Sequence, residues 1–164
     1  MSRPLNILVL CTGNSARSII GEVLINELSN GRLQAYSAGS HPAGKVNPGA
    51  IDKLNREHHS IADLESKSWD RFSASGAPEM DIVITVCDNA AGESCPIWHG
   101  SPVTVHWGIP DPAIDSDETV AVRAAFDAAY SRLRRRVEAM LALPLETMSS
   151  DELGDALKAI HQSV

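Results

Sequence analysis

The sequence predicts one α/β domain, a doubly wound four-stranded parallel sheet flanked by helices, and three observations carry that reading. Residues 5–10 (Leu-Asn-Ile-Leu-Val-Leu) and 80–86 (Met-Asp-Ile-Val-Ile-Thr-Val) are short apolar runs, the second strongly β-branched, as expected of strands buried on both faces. Segments with helical spacing alternate with the strand candidates, which favours parallel strands joined by crossover helices. The chain has 164 residues, 43% of them apolar, enough for one domain with a substantial core. Its expected extent is residues 1–145, with 146–164 a C-terminal helical extension.

The elements follow in order. After the first strand, Ile20, Val23, Leu24 and Leu28 recur at helical spacing, and Asn30-Gly31 supplies a stop. Residues 33–39 form a second strand candidate, and Asn47-Pro48 places an N-cap before a proline at the first helical position of a helix carrying Ala50, Ile51 and Leu54. A short helix is expected over 67–72, then the strand over 80–86, then another over 103–107. A long helix over 118–141 turns Val122, Phe126, Ala129, Tyr130, Leu133, Val137 and Met140 inward and leaves Arg134-Arg135-Arg136 on its solvated side. The end of the chain shows a capping box, Ser149 with Glu152, opening a weak helix interrupted by Gly154.

Composition excludes several classes. The 11 glycines and 9 prolines are dispersed, so neither a collagen-like nor a disordered chain fits. The formal charge of −7 argues against nucleic-acid or acidic-membrane partners, so any anionic ligand must be held by a local site. The first apolar run is too short for a secretory signal, and no stretch approaches a membrane span, so the expected setting is the cytoplasm; a monomer is expected, with nothing in the sequence that fixes the oligomeric state. Three cysteines are an odd set, which suits catalytic, metal-binding or buried thiols better than a static disulfide framework.

The strongest chemical signal is Cys11-Thr12-Gly13-Asn14-Ser15-Ala16-Arg17-Ser18, lying between a strand and a helix. Gly13 lets the backbone curl, successive N–H groups turn inward as a nest, and a helix starting near Arg17 adds positive potential. A tetrahedral oxyanion fits such a cradle, with Arg17 holding two of its oxygens. Cys11 lies on the same ring of donors, so its thiolate should be favoured and its pKa lowered from about 8.5, with a Ser18 hydroxyl available to the sulfur. Alone, Cys11 reads more readily as a small hydrophobe ending a strand; the eight-residue pattern favours a nucleophile.

Displacing oxygen from an oxyanion calls for a proton donor. Asp111, between Pro110 and Pro112, is stiffly held and is either an acid or part of a turn. Cys87 and Cys95 enclose seven small or polar residues and read as a redox hinge whose thiols can come within the Cα spacing of about 5.5 Å that a disulfide needs. Two other readings stand beside it: a metal site with His99 and His106, although Cys-x7-Cys-x3-His-x6-His matches no tight zinc knuckle, and two unrelated buried thiols.

The loop from Cys11 to Ser18, Ser37-Ala38-Gly39, Cys87, Cys95, His106-Trp107-Gly108 and Asp111-Pro112 together resemble the low-molecular-weight protein tyrosine phosphatase superfamily, and within it the arsenate reductase branch, over roughly residues 5–142. The resemblance implies that Thr12, Gly13, Asn14, Ser15, Ala16, Arg17 and Ser18 bind the oxyanion, that Cys11 attacks arsenate, and that Asp111 is the general acid. It further implies that Cys87 attacks Cys11 to release arsenite, and that Cys95 then takes the disulfide to a loop where an external reductant meets it. Phosphate and sulfate would compete with arsenate. No bound cofactor is expected; the implied donor is thioredoxin, or glutaredoxin with glutathione, and the Cys87 to Cys95 interval is slightly longer than in the best-known thioredoxin-coupled members. Some members hold potassium with residues matching Asn14, Glu22, Ser37 and a side chain near Ser68; here Lys67 lies close by as a substitute ammonium, and no metal is expected.

Two rival functions remain at this level. A phosphatase on the same loop would hydrolyse a phosphocysteine, but it would leave Cys87 and Cys95 idle, and Ala113 stands where such phosphatases usually carry an aromatic after Asp-Pro. A non-catalytic metal- or anion-binding regulator would bind without turnover.

Overall fold

The computed structural model describes residues 3–87, 96–114 and 116–164. Four strands, β1 (Leu5–Leu10), β2 (Leu33–Ala38), β3 (Ile82–Thr85) and β4 (Val103–His106), form one parallel sheet in the order β2-β1-β3-β4. Helix α1 (Arg17–Ser29) joins β1 to β2, and α2 (Pro48–Arg56) with a 3-10 turn (Trp69–Phe72) carries the chain across to β3. Helices α3 (Thr119–Leu141) and α4 (Ser150–Ser163) follow β4. The strand order reverses at β1, which places a switch point between β1 and β3, where open α/β sheets bind ligands.

Period-two alternation sorts the sheet residues between its faces. Ile7, Val9, Ile82, Ile84 and Val105 join the larger core with buried residues of all four helices. Leu8, Leu10 and Val83 face a smaller cluster closed by Phe72, Met80 and Trp98. Among the described residues no helix is long and apolar enough to cross a membrane.

Local signals place the helix ends. Asn30 closes α1 in the left-handed conformation at φ 51°, and Asn47 caps α2 by accepting from the Gly49 N–H at 2.8 Å. At α4 the Ser149 hydroxyl accepts from the Glu152 N–H while the Glu152 carboxylate accepts from the Ser149 N–H. That reciprocal cap and the burial of Leu153, Leu157 and Ile160 outweigh the cost of Gly154, about 1 kcal/mol, so α4 is continuous where the sequence predicts an interruption.

A second departure concerns the triple arginine of α3. Arg135 is exposed, but Arg136 is only 2% exposed, because it shares the helical stripe of Ala129, Leu133, Val137 and Met140. The charged run hides one inward cation.

Candidate active site

Strand register puts the predicted residues at one end of the sheet. Leu10 pairs with Thr85, and Thr85 with His106, so Cys11, Cys87 and the 107–112 loop all leave the sheet from one row. Cys11 follows β1 directly, Cys87 lies just past β3, and Asp111 lies in the turn after β4.

The Cys11-to-Ser18 loop turns its carbonyls outward. The Thr12 oxygen accepts from the His41 N–H, the Gly13 oxygen from the Ala43 N–H and the Ser66 hydroxyl, and the Ser15 oxygen from the Asn47 N–H, at 2.8 to 3.1 Å. Carbonyls engaged on the outside of a loop are the complement of the inward amides that an anion nest uses. The tight bend falls at Asn14, with φ 44°, and not at Gly13, where a Cβ would meet nothing nearer than the Ser15 hydroxyl at 3.6 Å. Asparagine tolerates the left-handed region, and this one is locked there: its side-chain oxygen accepts from the Lys67 N–H at 2.8 Å and its amide donates to Ser18 Oγ at 2.7 Å.

Cys11 and Cys87 are both buried thiols without a disulfide. The Thr12 N–H donates to Cys87 Sγ at 3.4 Å, so the second sulfur sits against the oxyanion loop itself. The Cys11 pKa is pushed up, contrary to the sequence expectation, first by a hydrogen bond with Cys87 and then by burial. The Ser18 hydroxyl and the Asn14 N–H act in the opposite direction and offset only part of this. The loop does favour the thiolate, but the neighbouring thiol outweighs it.

Arg17, at the first turn of α1, bridges two loops. It donates to the Ile109 carbonyl at 3.0 Å and approaches Asp111 Oδ2 at 3.7 Å. Asp111 is more than half exposed, and its other oxygen accepts from the Ala113 N–H at 3.0 Å, fixing the carboxylate within its proline turn. A groove of about 590 Å³ between this turn and α3 is lined by Asp111, Pro112, Ile114, Ala128, Arg132 and Arg135.

Behind the loop, Lys67 Nζ lies 3.4 Å from Ser37 Oγ, 3.1 Å from the Glu65 carbonyl and 3.6 Å from Glu22 Oε1. Burial pushes the Glu22 carboxyl upward, partly offset by the Lys67 charge and the Ser37 hydroxyl. An ammonium already occupies the oxygens that would hold potassium, and Asn14 is spent on Ser18 and Lys67, so this set does not fit a resident cation. No group of three or more metal-ligating side chains occurs among the described residues.

Cys95, and the 88–95 segment proposed as a hinge, lie outside the described residues. Sequence reasoning passed over two others. Gly39 is needed because a Cβ there would lie 2.4 Å from the Thr12 oxygen and 2.8 Å from the Cys11 oxygen, and its place in Ser37-Ala38-Gly39 was the available signal. Arg136, treated below, was disguised as one of three consecutive arginines.

Residues 6–152 match the model of the low molecular weight phosphotyrosine protein phosphatase family. An arsenate reductase of Bacillus cereus strain ATCC 14579 is 34% identical over 113 residues, covering 69% of this chain and 81% of that protein. The crystal structure of an arsenate reductase from Archaeoglobus fulgidus is 25% identical with a TM-score of 0.59, covering 80% of this chain and 98% of that one. A thioredoxin-dependent arsenate reductase of Corynebacterium glutamicum is 22% identical with a TM-score of 0.57; the match covers 81% of this chain and 60% of that longer one, and it bears on the fold alone. With the strand-loop-helix cradle and its buried cysteine in place, the family match over most of the chain means that this protein belongs to the low molecular weight phosphotyrosine protein phosphatase family.

Proposed function

We propose that this protein is an arsenate reductase that uses three thiols in succession. The observation that carries the reading is the second buried thiol: Cys87 accepts from the amide of Thr12 at 3.4 Å and lies 3.6 Å from the Thr12 hydroxyl, against the loop that begins at Cys11. Phosphate ester hydrolysis has no use for a thiol there. The arsenate reductases of Bacillus cereus and Archaeoglobus fulgidus support the same assignment.

In this mechanism arsenate enters the cradle of residues 12–18, with Arg17 on two of its oxygens. The Cys11 thiol gives up its proton to solvent as its sulfur attacks arsenic, and Asp111 gives a proton to the departing hydroxyl, which leaves as water; the carboxylate is then reprotonated from solvent. Cys87 then attacks the Cys11 sulfur. The sulfur-arsenic bond breaks with its electron pair on arsenic, so As(V) becomes As(III), arsenite departs and a Cys11–Cys87 disulfide remains. Cys95 attacks Cys87, freeing Cys11 and transferring the disulfide. An external thiol reductant restores Cys87 and Cys95; thioredoxin is the first choice, glutaredoxin with glutathione the second. Such chemistry belongs in a reducing cytoplasm.

The test is arsenate-dependent NADPH oxidation with the thioredoxin system, and separately with glutaredoxin and glutathione, beside an aryl-phosphate hydrolysis assay. Turnover with one reductase system is expected. Brisk ester hydrolysis with no reductase turnover under either system would overturn the assignment. The relay is tested separately: pre-reduced Cys95→Ser should release about one arsenite per chain without multiple turnover, and Cys87→Ser almost none.

A further inference from the structure

The loop that carries Asp111 has few main-chain anchors. Pro110 and Pro112 have no N–H to give, and the bonds that tie the loop base to β3 are Trp107 N–H to the Thr85 oxygen and Ile109 N–H to the Val86 oxygen, at 2.7 and 3.1 Å. Its carbonyls are held instead by two guanidinium groups from opposite sides. Arg17 donates to the Ile109 oxygen from the oxyanion loop, and Arg136 donates from α3 to the oxygens of Trp107 and Gly108 at 2.9 and 3.2 Å.

Arg136 reaches one element further. Its Nε donates to the main-chain oxygen of Val164 at the end of α4, while the Trp107 indole N–H donates to the Leu157 oxygen within α4 at 2.9 Å. Loop base, α3 and α4 therefore meet at one guanidinium and one indole, both almost fully buried.

Stability alone is a poor account of this arrangement. A buried cation is costly, and replacing one by an apolar side chain of similar volume is often neutral or stabilising. Among the described residues no Asp or Glu side chain pairs with Arg136; its acceptors are main-chain oxygens of Trp107, Gly108 and Val164, and burial with the nearby charges of Arg132 and Arg135 brings its pKa down to about 10. What a guanidinium adds, and an apolar side chain cannot, is a rigid plane of donors: its Nη1 bonds both consecutive carbonyls while its Nε holds the Val164 oxygen.

We propose that Arg136 is a positioning residue for Asp111, acting with α4 as a clasp on the carbonyls of Trp107 and Gly108. The clasp rests on the reading of Asp111 as the general acid. It makes the C-terminal helix a working part of the active site, because α4 holds the tryptophan and the arginine that hold the acid's loop.

The experiment is a double-mutant cycle on the full-length chain: wild type, Asp111→Asn, Arg136→Met and the double variant. The readouts are the rate constant for arsenite release in one turnover of pre-reduced protein, the half-saturating arsenate concentration, and inhibition by phosphate. Arg136→Met should lower the rate constant about tenfold, a part of the roughly hundredfold or more that a general acid supplies. Half-saturation and phosphate inhibition should stay within about twofold, because the cradle is untouched. In the Asp111→Asn background the same substitution should cost less than about twofold, and Arg136→Lys should recover part of the rate. An equal loss in both backgrounds, or no loss in either, overturns the clasp.

If Arg136→Met does not fold, Trp107→Phe makes the same test, since it removes the indole donor and keeps an aromatic ring. A loss that vanishes with Asp111→Asn supports the clasp, and a persistent or absent one overturns it. If Asp111→Asn alone leaves the rate unchanged, the acid assignment fails and the clasp with it, an outcome distinct from the multiplicative loss.

Discussion

The main-chain N–H of Thr12 donates to the sulfur of Cys87 at 3.4 Å, so the first amide of the oxyanion loop serves the second thiol. The neighbouring Cys87 thiol and burial push the Cys11 pKa up, so the proposed nucleophile keeps its proton more persistently than its loop alone would allow.

Removing Cys87 should therefore release Cys11. A thiol with a raised pKa reacts only as pH climbs, so in Cys87→Ala, where the neighbouring thiol is gone and the Ser18 hydroxyl and Asn14 N–H remain, alkylation of Cys11 should begin at lower pH. Iodoacetamide labelling followed by peptide mass spectrometry across pH 5 to about 10 measures it. A profile for Cys11 that coincides with wild type would refute the coupling.

Gly39→Ala should damage the cradle without touching a charged group. The new Cβ would press on the oxygens of Thr12 and Cys11, and the backbone cannot retreat, because the Gly39 N–H donates to the Lys67 oxygen and the Gly39 oxygen accepts from the Trp69 N–H, at 3.0 and 2.9 Å. A stability loss of about 1–3 kcal/mol and weaker inhibition by phosphate are expected. Urea unfolding and phosphate titration check both, and unchanged phosphate inhibition would show that the loop absorbs the methyl group elsewhere.

These two residues mark how much could be read from the sequence. The loop from Cys11 to Ser18 was legible as a unit because its eight residues are contiguous between a strand and a helix. The parallel sheet was legible because buried strands are apolar throughout. What escaped depends on neighbours distant in the chain. The Cys11 pKa is raised by a sulfur that follows another strand, Gly39 is required by carbonyls of another loop, and Arg136 is inward only because the α3 stripe happens to include it. The left-handed bend went to Asn14 and not to Gly13 because Lys67 and Ser18 hold the asparagine side chain.

Lys67 should make turnover indifferent to the choice of monovalent cation. Its ammonium sits on Ser37, Glu22 and the Glu65 carbonyl, so exchanging sodium for potassium at constant ionic strength should leave the arsenate-dependent rate unchanged within about twofold. Lys67→Met removes the positive charge beside a buried carboxyl whose pKa burial already raises, so the Glu22 carboxyl should be pushed further upward. A several-fold potassium activation of the wild-type protein would overturn the substitution of ion by ammonium.

Acid should loosen the joint between α1 and α3. Arg32, just past α1, donates to both oxygens of Glu146 at 2.7 and 2.8 Å and to the carbonyls of Leu141 and Leu143 at the end of α3. The Arg32 hydrogen bonds hold the Glu146 carboxyl down at about 2, below its ordinary 4.5. A depressed carboxylate stabilises the folded state above its unfolded pKa and loses that contribution as pH falls through the folded one, so the window runs from about 4.5 down to about 2. Glu146 is 43% exposed, and solvent screening limits the contribution to about 0.5–1 kcal/mol. Urea unfolding of wild type and Glu146→Gln should differ by that amount at pH 7, with the difference shrinking by about half or more at pH 3. A difference that stays constant across the window would mean that the carbonyl bonds of Arg32, and not its ion pair, hold α3 to the end of α1.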